Sequence, residues 1–183
     1  MFLRKKRINN QYYAYAVTNR WTKEGSRQKA TYVGKILIPF VVEPLSLDEH
    51  LEADPITAFK EQRRGVIIDS LVTHALRQRG FTLKTIEGIG TVWQDETHYY
   101  QDRCIRKITT KKEVVIEAHE GFLCAHTLQK LLYAKITGYD EREQGIKLAK
   151  LVLEAGLHID EAIFVVLFER WTRKEEVHER SLD

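Results

Sequence analysis

The chain has 183 residues, 43% of them hydrophobic and 30% charged, with a formal net charge of +3. That length can bury a core without staples, and the composition excludes a disordered or collagen-like chain. Its two cysteines, Cys104 and Cys124, stand in no CxxC, which excludes a disulfide framework and a zinc knuckle; each neighbours an apolar residue and reads as a buried thiol.

The first element carries most of the functional signal. A basic cluster, Arg4-Lys5-Lys6-Arg7, leads into the aromatic run Tyr12-Tyr13-Ala14-Tyr15-Ala16-Val17. A polar break at residues 22–26 contains Gly25, and a second run extends from Arg27 to Ile36. Two strand-like runs around such a break predict a β-hairpin. By alternation, Gln28, Ala30, Tyr32, Gly34 and Ile36 form a face expected to be buried. Arg27, Lys29, Thr31, Val33 and Lys35 form a face expected to be wet and positive. Residues 1–35 hold nine Lys or Arg against one acid, Glu24, for a net of +8; the other 148 hold 20 basic and 25 acidic side chains, for a net of −5. Basic residues interleaved with aromatics suit a polyanion, because cations neutralise phosphates and aromatic faces stack on unpaired bases. An edge hairpin whose lysines merely block aggregation has the same composition.

The order Phe2-Leu3-Arg4-Lys5, Tyr12 to Val17, Arg27-Gln28-Lys29 and Tyr32-Val33-Gly34-Lys35 resembles the opening of many DDE-type insertion-sequence transposases. The likeness covers residues 1–38, about a fifth of the chain, and implies a hairpin that faces nucleic acid. The family's catalytic core and spaced carboxylates have no counterpart here, so the resemblance implies a recruited or truncated relative rather than a transposase.

Residues 36–44 are apolar with two prolines and read as the exit from the second strand into a linker. The expected organisation is therefore a basic aromatic hairpin module over residues 1–44 and an α+β body over 54–183. A short helix is expected over residues 46–53. Asp54-Pro55 reads as an N-cap with proline at the first helical position. The helix it opens is expected to run unbroken to Gly80, burying Ile67, Ile68, Leu71, Val72, Ala75 and Leu76, with Lys60, Arg63, Arg64, Arg77 and Arg79 on its solvated side. Strands are expected over 81–86, 90–94, 103–109 and 113–119, making a small, mainly antiparallel sheet. Three helices follow. Leu128, Leu131 and Leu132 mark the first; Ile146, Ala149 and Leu153, capped by Asp140 with Glu143, mark the second. The third carries Ile163, Phe164, Leu167, Phe168 and Trp171, and the charged tail beyond Thr172 is expected to fray.

The order helix, strands, helix also resembles a nuclease core of the restriction-endonuclease type. Asp95 and Glu96 end one expected strand, while Glu117 and His119 lie two apart on another and would share a face. Such a set can hold a divalent metal that activates water against a phosphate. This chain departs from that pattern at His119, where the family has lysine, and at Gln94, which replaces the proline before Asp95. No cofactor or resident metal is expected, since no two histidines share ligand spacing and no phosphate-cradling glycine loop is present.

The sequence therefore predicts a non-enzymatic protein, recruited from a transposase-like ancestor, that binds RNA or DNA with little sequence specificity. Arg4, Lys5, Lys6, Arg7, Arg27, Lys29 and Lys35 are its expected phosphate contacts; Tyr13, Tyr15 and Trp21 are its stacking residues. Stacking favours single-stranded or irregular targets. The metal-dependent nuclease is one alternative. The other is an interaction subunit that docks a protein partner on its acidic helical body. No apolar run reaches membrane-spanning length and the opening residues lack a secretory pattern, so no membrane partner is expected and the location is read as cytoplasmic.

Overall fold

The computed structural model describes residues 2–23 and 25–172. The chain is α+β, with helices layered on a mostly antiparallel sheet. In spatial order the strands are β1 (Phe2–Ile8), β2 (Gln11–Thr22), β3 (Gly25–Leu37), β8 (Glu113–Ala118), β7 (Cys104–Lys107), β6 (His98–Gln101), β5 (Gly90–Gln94) and β4 (Thr82–Ile86). A short β9 (Gly121–Leu123) folds back on β8.

The basic cluster, given no strand in the sequence reading, is β1. It turns into β2 through Asn9 and Asn10, with φ of 48° and 61°. That two-residue turn twists as the flanking strands do, and asparagine tolerates its left-handed backbone. The expected hairpin is thus the larger part of a three-stranded meander.

Joining the meander to the body is one parallel pairing, Lys35, Ile36 and Leu37 beside Val114, Val115 and Ile116. Gly34 permits the approach, since a Cβ there would stand 2.9 Å from the carbonyl oxygen of Glu113. The linker after residue 37 has no strand, as its prolines dictate. It is tied to the body where the amides of Val42 and Glu43 donate to the Gln78 carbonyl.

Helix α1 (Leu47–Leu51) opens with a capping box between Ser46 and Glu49. Helix α2 (Pro55–Glu61) has the expected Asp54 cap, which accepts from the amides of Ile56 and Thr57. The unbroken helix to Gly80 is corrected here: Gln62 and Arg63 are extended, and α3 (Arg64–Arg77) starts anew. Neither glycine nor proline marks that break. A distant contact holds it, the Arg170 guanidinium donating to the Gln62 carbonyl at 2.7 Å. Gly80, at φ 83°, ends α3 as expected. The expected basic side of this segment is partly consumed by the fold. Arg79 is buried and donates to the Ala75 carbonyl, and Arg64 donates to the carbonyls of Leu132 and Ala134.

The last helices are α4 (Ala125–Tyr133), α5 (Glu141–Glu154) and α6 (Glu161–Thr172). Asp140 caps α5 by accepting the Glu143 amide. The buried stripe of α5 is Leu148, Leu151 and Val152, with Ile146 and Leu153 exposed, so the expected stripe was rotated. In α6 the buried positions are Ile163, Val166, Leu167 and Trp171, with Phe164 and Phe168 stacked beside them. The charged tail, Arg173 to Arg180, lies outside the described residues.

The main core lies between helices and sheet, where Phe59, Ile67, Ile68, Leu76 and Phe81 meet Ile105, Ile116 and Leu123. A smaller cluster occupies the sheet's other side, with Ala14, Ile36, Val115 and Cys124 beneath Leu3, Tyr12, Val33 and Phe122. Both cysteines are buried free thiols, and burial pushes their pKa values up, that of Cys104 to about 12. Among the described residues no helix is long and apolar enough to cross a membrane.

Candidate nucleic-acid interface

The register of the meander decides which of its side chains meet. In β1–β2, Arg4 lies beside Tyr15 and Lys6 beside Tyr13; in β2–β3, Tyr13 lies beside Lys35 and Tyr15 beside Tyr32. Cross-strand neighbours share a face, so Arg4, Lys6, Tyr13, Tyr15, Tyr32 and Lys35 form one surface. The rings are in contact, with the Tyr32 centroid 6.2 Å from that of Tyr13 and 5.8 Å from that of Tyr15. Partial burial, then the neighbouring phenols, hold the Tyr32 hydroxyl above its ordinary pKa. Arg4 donates to Gln28 at 3.2 Å and Gln28 to Asn19 at 2.9 Å, a polar line across all three strands. Trp21 shares this face by alternation and is 85% exposed.

Two expectations about β3 are corrected. Tyr32, assigned to the buried face, is 55% exposed; Gln28 and Ala30 are exposed with it, and only Gly34 and Ile36 of that set are buried. The β2–β3 register shifts between Ala14 and Tyr15, placing Val33 as an extra residue in β3. Such a bulge breaks the period-two pattern, so Lys35 and Lys29 lie on opposite faces although their separation is even.

The opposite face receives Lys5, Arg7, Arg27 and Lys29. Lys5 is engaged within the fold: its ammonium is 2.5 Å from Glu117 and 4.2 Å from the Tyr12 ring centroid. Arg7 donates to Asn10 at 2.8 Å and lies 6.0 Å from the same ring. Nearer the tip, Arg20, Arg27 and Lys29 line a concavity of about 520 Å³ with Thr18, Gln28 and Thr31. Of the ten expected contacts, six therefore share the tyrosine face, two are tied down near the body and two line the tip. Tyr32 and Arg20 were missed. Gly34 within a strand pattern was the available sign of an irregularity beside Tyr32.

The expected nuclease constellation is not assembled. Asp95 closes the β5–β6 turn by accepting the amides of Thr97 and His98, and Glu96 belongs to the same turn. Glu117 faces Lys5. His119 does not continue β8; it turns the chain at φ 50° and its ring stacks on His158 at 5.1 Å. The shared-face expectation for Glu117 and His119 fails because β8 ends between them. Among the described residues no three His, Cys, Asp or Glu side chains gather closely enough to hold a metal ion.

A second histidine group is structural. His50 on α1 lies 5.5 Å from His74 on α3 and 5.8 Å from Trp93, ring to ring, and hydrogen-bonds Thr73 at 3.1 Å. Burial, then the proximity of His74 and Arg77, lowers the His50 pKa to about 4. The His74 ring meets the Leu45 carbonyl at 2.7 Å, anchoring the linker, and burial lowers its pKa as well.

Compared with protein-family models, with curated proteins and with solved structures, the chain shows no match.

Proposed function

We propose that this chain binds nucleic acid through its N-terminal meander and acts as a binding module rather than an enzyme. One observation carries the reading: three tyrosines in ring contact, partly open to solvent, are flanked by Arg4, Lys6 and Lys35 on one face. Cations there neutralise phosphates, while the phenols supply ring faces and hydroxyl donors. From residue 2 to 37 the sequence carries nine basic residues and one acid, Glu24, a balance that favours a polyanion. The resemblance of residues 1–38 to a transposase opening agrees with this reading.

Fluorescence anisotropy with labelled DNA and RNA across a salt series tests it. The variant Arg4→Glu/Lys6→Glu/Lys35→Glu should lose at least about tenfold in affinity. Its dependence of log K on log salt should flatten by about two to three units, the share of three phosphate contacts. No binding by the intact chain at low salt, or an unchanged variant, refutes the proposal.

A protein-interaction role is a second reading, favoured by the linker. Ile38, Phe40, Val41 and Val42 are all exposed, Phe40 by 87%, an apolar group in the segment between meander and body.

A further inference from the structure

We infer that the free end of the β2–β3 hairpin enters the major groove of double-stranded, B-form DNA; this rests on the nucleic-acid reading above and names its target. Among the described residues, β1 pairs with β2 as far as the Phe2–Val17 pair. Beyond it, β2 and β3 pair with each other over five further rungs, Thr18–Lys29, Asn19–Gln28, Arg20–Arg27, Trp21–Ser26 and Thr22–Gly25. Apart from half-buried Thr18, all of these residues are exposed.

The dimensions fit. Five rungs span about 17 Å, and two strands lie about 4.8 Å apart. A B-form major groove, about 12 Å wide and 8.5 Å deep, admits a two-stranded ribbon. The major groove of A-form RNA is too narrow for one, and a single strand offers no groove at all.

The side chains fit a groove better than a stack. One face of the ribbon carries Arg20, Arg27 and Lys29 with Thr18 and Thr22; the other carries Asn19, Gln28, Ser26 and Trp21. Guanidinium, amide and hydroxyl groups read phosphates and base edges, and Trp21 is the ribbon's one aromatic side chain. Single-strand recognition needs successive π faces, which the ribbon lacks. With the ribbon in the groove, the tyrosine face at its base meets flanking phosphates through its phenols and through Arg4, Lys6 and Lys35.

The test compares the intact chain on duplex DNA, duplex RNA, single-stranded DNA and single-stranded RNA of one length, beside Arg20→Gln/Arg27→Gln/Lys29→Gln. Duplex DNA should bind at least about tenfold tighter than the other probes. The variant should lose about tenfold or more on duplex DNA and less than about twofold on single strands, with the salt slope on the duplex reduced by about three contacts' worth. Intact protein should also protect guanine N7 on the duplex from dimethyl sulfate, a measurement that does not depend on the variant's folding. Equal or tighter binding to single strands or duplex RNA, or absent N7 protection, overturns the inference but leaves the nucleic-acid reading standing. Failure to bind any of the four probes removes both.

Discussion

Acidification should loosen the docking of α1 on α3 through His50. Its ring packs between His74 and Trp93, and burial with the nearby Arg77 holds its pKa near 4, against 6.5 for a free imidazole. The unfolded chain therefore binds the His50 proton first. Its contribution to stability is complete above pH 6.5 and is lost as the pH falls from about 6.5 to about 4. A displacement of about 2.5 pKa units sets a ceiling near 3.4 kcal/mol at about 1.36 kcal/mol per unit. His50 is only half buried, so solvent screening reduces that to about 1–2 kcal/mol. His74, His119 and His126 shift in the same direction, each chiefly by burial, and steepen the fall. Urea denaturation at pH 7.5 and pH 4.5 reads the difference, with His50→Gln as the comparison. The variant should show a shallower pH dependence by about 1 kcal/mol or more. Identical pH dependence in the two proteins would refute the reasoning.

Two further changes probe how the layers are held. In Gly121→Ala the new Cβ would collide with the backbone of Leu153 and Gly156, neither of which can turn aside. Loss of about 3 kcal/mol or more in denaturant unfolding is expected, and a loss under about 1 kcal/mol would mean that β9 lies otherwise. Asp69 on α3 accepts from the Arg103 guanidinium at 2.5 Å and from the Tyr100 hydroxyl at 3.1 Å, pinning the β6–β7 hairpin to the helix. Asp69→Ala strands the largely buried Tyr100 hydroxyl and should cost about 1–3 kcal/mol, whereas Asp69→Asn, which keeps an acceptor, should cost less. Equal costs in the two variants would contradict that role.

Local chemistry made several elements legible in the sequence. Asp54-Pro55, Asp140 with Glu143, and Gly80 all act within one helical turn, and each appears where its residues predict. The Asn9-Asn10 turn was equally local and could have announced β1, but the basic cluster before it lacks the apolar alternation by which strands are recognised. The interruption at Gln62 and Arg63 was not legible, because the group that stabilises it, Arg170, is 108 residues away along the chain. The bulge at Val33 had a similar effect on the site. One inserted residue moved Tyr32 from the expected core face to the tyrosine cluster and separated Lys35 from Lys29. Residue types along the meander pointed to a polyanion, while the grouping that gives it two distinct faces required the register.

The parallel seam between β3 and β8 also orders events at the ribosome. β3 ends at Leu37 and its partner begins at Glu113, so about 75 residues must be made before the seam can close. At about 5–20 residues per second, that interval is roughly 4–15 s. Throughout it the meander has emerged without its partner strand, and the inner edge of β3 is open to pairing with any other extended chain. The net charge of +8 on residues 1–35 makes two copies with that edge open repel one another, which opposes such pairing until β8 is made.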